Sequence, residues 1–149
     1  MKRLHLVEIV DQDWCPRAVR HGLTDFLQLA FTNTRAYAAM VPVLAAALRR
    51  SGERRIVDLC SGASGPWMWL QPALAKVGLT VSVCLTDKYP NLEAFAKARQ
   101  ATPHGIRYYS QPVDATEVNS ELQGFRTIFT AFHHFTPERG RAATPIPLH

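Results

Sequence analysis

Four positions along the 149-residue sequence combine a chemically useful side chain with the end of an apolar, β-branched run. Asp58 opens the segment Asp58-Leu59-Cys60-Ser61-Gly62-Ala63-Ser64-Gly65, directly after Arg55-Ile56-Val57. Asp87 follows the run from Leu79 to Thr86, Asp114 lies shortly after Ile106 to Ser110, and His133-His134 follow Phe125 to Phe132. An ionised carboxylate only accepts hydrogen bonds, so Asp87 suits two vicinal hydroxyls such as those of a ribose, and Asp114 suits an amino group such as that of adenine. Asp58 can hold its turn in shape, and its charge would be favourable near a sulfonium or ammonium. Gly62 and Gly65 permit backbone dihedrals that a side chain would block and let the chain come close to a ligand.

Each of these residues also has a plainer explanation. Two glycines make a tight turn, an aspartate after a strand caps a helix or forms a turn, and a histidine pair can simply be solvated. Trp67, Trp69 and Phe95 fit a core better than a ligand site. The histidines have no cysteine or carboxylate companion at metal-ligand spacing, so no metal is expected. What outweighs the plain explanations is recurrence: polar residues stand at four successive strand ends, and Asp58, Asp87 and Asp114 are each about one strand–helix unit from the next.

The elements that must position them follow from periodicity. From Leu23 to Leu48, apolar residues recur at helical spacing. Pro42 within that run predicts two helices or a kink, and Gly52 suits a left-handed helix end. Strands are predicted at Arg55 to Cys60, Leu79 to Thr86, Ile106 to Ser110 and Phe125 to Phe132. Pro66 opens a helix that Gly78 closes and that contains Pro72. Asn91 caps a helix over Leu92 to Gln100. A short helix is expected between the third and fourth strands, and another opens at Thr136-Pro137-Glu138. Alternation of this kind predicts an α/β fold with a mostly parallel sheet and helices on its faces. In such sheets ligands bind beyond the carboxyl ends of the strands.

Bulk properties narrow the class. The sequence is 47% hydrophobic and 19% charged, with a net charge of +5. No apolar run reaches the ~20 residues that span a bilayer, and the first ten residues lack a continuous apolar stretch, so a cytoplasmic protein is expected. Cys15, Cys60 and Cys84 are too few and too far apart for a disulfide framework or zinc ribbon. That positive charge permits an acidic or nucleic-acid partner without demanding one, but the basic residues are scattered along the chain, as on an ordinary solvated surface.

The run Val57 to Gly65 resembles the first motif of class I, Rossmann-like S-adenosylmethionine-dependent methyltransferases. Asp87 resembles that family's ribose-binding acid, Asp114 its adenine-contacting acid, and Phe132-His133-His134-Phe135 its fourth-strand segment. The resemblance implies S-adenosyl-L-methionine as cofactor, held by Asp58, Cys60, Ser61, Gly62, Ala63, Gly65, Asp87, Lys88, Asp114 and Ala115. Within that set, Ser61, Gly62 and Ala63 would run along the methionine part, Lys88 would flank the adenosine, and Ala115 would lie beside the adenine. A general base is optional, depending on the acceptor's pKa, and His133 or His134 is the visible candidate for one. The acceptor would be an unidentified molecule, small rather than macromolecular. Residues 1–52, with Asp11, Trp14 and Tyr37, would form a helical lid, 53–141 the cofactor-binding core and 142–149 an irregular tail. The family's D-x-G-x-G-x-G has glycines where Cys60 and Ser64 stand here. Read as Cys60-x-Gly62-x-x-Gly65, the loop nears the dinucleotide fingerprint and keeps a nicotinamide-cofactor protein as the alternative. The family's sheet has seven strands and four are readable here. The chain is therefore expected to be a C-terminally truncated member, with its fourth strand an exposed edge open to self-association, or a non-catalytic remnant.

Overall fold

The computed structural model describes residues 14–22, 26, 37–129, 131 and 135. Within them the elements run α1 (Met40–Ser51), β1 (Arg55–Leu59), α2 (Trp67–Lys76), β2 (Ser82–Leu85), α3 (Leu92–Ala101), β3 (Ile106–Tyr108) and β4 (Phe125–Ile128). Residues 17–22 are also helical. The strands form one parallel sheet in the order β3-β2-β1-β4, with Ile56 beside Val83 and Phe125, and Val83 beside Ile106. This is an α/β arrangement of Rossmann-like form, in which the chain passes from one side of β1 to the other between β3 and β4.

Parallel strands are covered on both faces, which is why β1 and β2 read as almost continuous apolar runs. One set of alternating residues, Ile56, Val83, Leu85 and Ile106, packs against Leu44 and Leu48 of α1, Trp67, Leu70 and Leu74 of α2, and Phe95 and Ala98 of α3. The other set, Val57, Leu59 and Cys84, is covered by Val113, Ala115 and Leu122 from the connection between β3 and β4. All three helices thus share one face, and among the described residues irregular chain covers the other. The short helix expected in that connection is instead a turn over residues 115–116. Asp114 fastens that turn: its Oδ1 accepts both the Thr116 N–H (2.9 Å) and the Thr116 hydroxyl (2.6 Å).

The prolines resolve differently from the sequence expectation. Helix α1 begins at Met40, so Pro42 falls in its first turn, where a missing N–H costs little. Most of the predicted helix before it, over 23–36, lies outside the described residues. Pro72 sits inside α2 without ending it; it is exposed, as is Met68, so the carbonyl left without a partner one turn earlier can be hydrated. Gly52 takes φ +73° and donates to the Leu48 carbonyl, closing α1. Gly78 donates to Ala75 and Leu79 to Leu74, a paired closure of α2 that also buries Leu79 beside Leu74. Asn91 caps α3 by accepting the Ala94 N–H at 3.2 Å. Strands β2 and β3 are shorter than the apolar runs predicted, and β4 spans Phe125–Ile128, with residues 130 and 132 of its predicted run outside the described residues.

Candidate ligand site at the carboxyl edge of the sheet

The turn after β1 is built around a buried carboxylate. Asp58 is 1% exposed. Its Oδ2 accepts the Ser61 hydroxyl at 2.7 Å and its Oδ1 accepts the Thr127 hydroxyl at 2.7 Å, which ties the turn to β4. The Trp67 indole N–H also favours the charged carboxyl from nearby but falls short of hydrogen-bonding geometry. Burial outweighs these donors and, with a small push from the charge of Asp87, raises the pKa from 3.8 to about 6. Asp58 therefore shapes the turn from inside, as the sequence suggested, and the surface it offers a ligand is backbone.

That backbone has an unusual conformation. Cys60, Gly62, Ser64 and Gly65 all have positive φ, at 59°, 54°, 106° and 54°. Cys60 and Ser64 occupy the places where the resembled motif carries glycine, and each adopts a conformation that glycine takes readily. The turn holds because neighbours fix it. Ser61 N–H donates to the Thr86 carbonyl, Thr86 N–H and its hydroxyl both approach the Asp58 carbonyl, and Ser64 N–H donates to the Ser61 carbonyl. At Gly65 a Cβ would stand 3.3 Å from Asp58 Oδ2, so a side chain there would press on the carboxylate. The Ser64 hydroxyl is buried with no hydrogen-bond partner among the described residues.

Asp87 reaches this turn from the end of β2. Its Oδ2 accepts the Gly62 N–H at 2.8 Å and its Oδ1 accepts the Tyr89 N–H at 2.8 Å. The Asp87 carbonyl in turn accepts the Val113 N–H, which brings the segment before Asp114 alongside. Asp87 and Asp114 are both half-buried, Lys88 is exposed, and Ala63 and Ala115 are buried. Ala115 packs into the core beneath the sheet, with Val57 and Leu59, which makes it a wall residue here. The structure thus joins Asp58, Ser61, Gly62, Gly65 and Asp87 by direct bonds or contacts, with Cys60 and Ala63 in the same turn and Asp114 on the adjoining loop. His133 and His134 lie outside the described residues, as do Asp11 and Phe132.

Two features were not legible in the sequence. Arg20, although charged, is buried, and its guanidinium carbon lies 3.7 Å from the centre of the Tyr89 ring. The N-terminal helical segment is thereby docked two residues beyond Asp87. On the other side, Tyr37 and Trp67 each meet Phe129 edge-on, with centroids 5.4 and 5.7 Å apart, forming an aromatic wall past the end of β4. Cation–aromatic spacing of 69 residues along the chain leaves no local pattern to read. Trp14, expected to belong with Tyr37 to a lid, is exposed. The three cysteines are free thiols, with Cys60 half-buried in the turn.

The arrangement offers half-buried carboxylates around a left-handed turn at the sheet's switch point, where open parallel sheets bind nucleotide-like ligands. No protein-family model, curated protein or solved structure matches this chain.

Proposed function

We propose that this chain binds S-adenosyl-L-methionine at the carboxyl edge of β1 and β2, as a methyltransferase or the cofactor-binding portion of one, in the cytoplasm. The observation that carries the reading is the alternation of positive φ at residues 60, 62 and 64 after Asp58. The acid of a D-x-G-x-G-x-G turn is present as Asp58, and its three glycine positions have glycine-like backbone conformation although two of the glycines are missing from the sequence. Asp87 adds the acceptor that ribose hydroxyls require, and its bond to Gly62 N–H holds it against the turn. Methyl transfer would proceed by in-line displacement, with the bond from sulfur to the methyl carbon breaking as the acceptor's bond to that carbon forms. In such a reaction alignment alone can supply ~7–11 kcal/mol of the barrier.

A thermal-shift panel with S-adenosylmethionine, S-adenosylhomocysteine, NAD and NADP tests the reading. A ligand present at about 100 times its dissociation constant stabilises by ~2.7 kcal/mol, which is readily seen. Shifts with the two sulfur nucleotides alone support it. A shift with NAD or NADP alone transfers the site to a dinucleotide, and no shift with any of the four leaves the chain without a nucleotide-binding role.

A further inference from the structure

The opposite pole of the sheet collects charge that the sequence disperses. Helices α1, α2 and α3 all end at the strands' amino edge, and their last turns carry Arg49 and Arg50, Lys76, and Arg99. Arg54 and Arg55 lead into β1 at the same edge. The group around α1 and α2 is contiguous: Arg49 donates to the Val77 carbonyl at 2.7 Å, Arg54 donates to the Leu48 carbonyl at 3.4 Å, and the Arg54 carbonyl accepts the Ser82 N–H. No hydrogen bond or ion pair engages the side chains of Arg50, Arg55 or Lys76 among the described residues.

The simplest explanation is that these cations neutralise helix C-termini, and magnitudes decide against it as a full account. Three helix ends carry about −1.5 charges together. Glu53 adds one more, as does Glu121 on the chain that leads into β4, so six cations still leave a surplus of about 2.5 charges. The carbonyls at the ends of α1 and α2 are in addition already served by backbone donors at Gly52, Gly78 and Leu79. Arg49 spends part of a five-donor guanidinium on one carbonyl and Arg54 on two, those of Leu48 and Glu53, and each keeps the rest.

We propose that this amino-edge surface docks the sugar–phosphate backbone of duplex nucleic acid. The patch is dominated by arginine, whose planar fork matches phosphate oxygens in pairs. Among the described residues its one large exposed apolar side chain is Val77, whereas a membrane-surface helix brings an apolar face with its cations. Phe125, the aromatic nearest this edge, packs inward on the core, which leaves no stacking platform for single strands. The proposal is independent of the ligand reading at the other pole.

Fluorescence anisotropy with a labelled 20-base-pair duplex, as RNA and as DNA, tests it on the full chain without cofactor. Binding to duplex is expected, and with three to five phosphates engaged it should weaken by roughly 40- to 500-fold between 50 and 200 mM salt. The double variant Arg50→Glu/Arg55→Glu should lower the slope of log affinity against log salt by about two. Arg17→Glu, an exposed cation on the distant N-terminal helical segment, should leave affinity near that of the parent. A second pair, Arg50→Gln/Lys76→Gln, should lower the slope similarly and keeps the test open if charge reversal disturbs folding. No binding at 50 mM salt, unchanged slopes in both double variants, or tighter binding to phosphatidylserine vesicles than to duplex would each overturn the proposal.

Discussion

Asp58 shows how one residue can serve a turn at a cost to the fold. Its carboxyl has a pKa of about 6 in the folded protein against 3.8 for the exposed group. The folded state therefore holds the proton more tightly, and the contribution to stability is fully present below pH 3.8 and is lost as pH rises through about 6. A shift of that size corresponds to about 3 kcal/mol at neutral pH. Asp58→Asn keeps the shape and removes the charge, so its urea-unfolding free energy should change less between pH 4 and 7 than the parent's. Parallel profiles for the two proteins would show that burial of this carboxylate does not set the pH dependence. Asp87 differs in kind, since it is half-buried and its two oxygens accept N–H groups from different segments. Asp87→Ala should weaken S-adenosylmethionine binding by ~10–100-fold, because charge-assisted hydrogen bonds are worth about 1.5–3 kcal/mol. Isothermal calorimetry giving equal affinities for parent and variant would remove Asp87 from the ribose role.

The turn after β1 and the entry to β4 each hold backbone in a conformation that most residues avoid. Ser64 is a non-glycine residue at φ 106° with a buried, unpartnered hydroxyl. Both features oppose folding, so Ser64→Gly should stabilise by about 1–2 kcal/mol, after allowing for glycine's greater freedom when unfolded. A loss of stability on guanidinium unfolding would mean that the hydroxyl contributes more than its surroundings indicate. Gly124 presents the reverse case at the entry to β4. It has φ 149°, and a Cβ there would lie 2.6 Å from the Arg55 carbonyl oxygen, in backbone that cannot move aside. Gly124→Ala should cost about 2–4 kcal/mol and loosen β4 from β1. Hydrogen exchange that stays as slow in β4 of the variant as in the parent would contradict this.

At the scale of the whole sheet, the described residues place three aspartates at one pole and a group of arginines at the other. Asp58, Asp87 and Asp114 gather at the carboxyl edge, while the unpaired arginines gather at the amino edge. The sheet also has an open side, since β4 pairs with β1 alone among the described residues. Unpaired strand edges invite pairing with another chain, so sedimentation velocity should show self-association that grows with protein concentration. A single monomeric boundary across the concentration series would show that this edge is closed to partners. Among the described residues, no helix is long and apolar enough to cross a membrane.

The sequence by itself determined the features that depend on neighbours in the chain. Apolar alternation specified the parallel α/β class, Gly52, Gly78 and Asn91 specified helix ends, and acids beyond successive strands marked the edge where a ligand site would lie. Local rules sufficed because capping, turn and burial preferences act over a few residues. Tertiary structure decided the rest. It made Asp58 an internal clamp by closing Thr127 of β4 over it, and it forced Cys60 and Ser64 into dihedrals that their residue types do not announce. It also stacked Arg20 on Tyr89 and assembled an arginine-rich pole from residues that look dispersed. Each of those outcomes comes from chain segments meeting after the sheet has formed, and a reading confined to one stretch of residues has no term for such encounters.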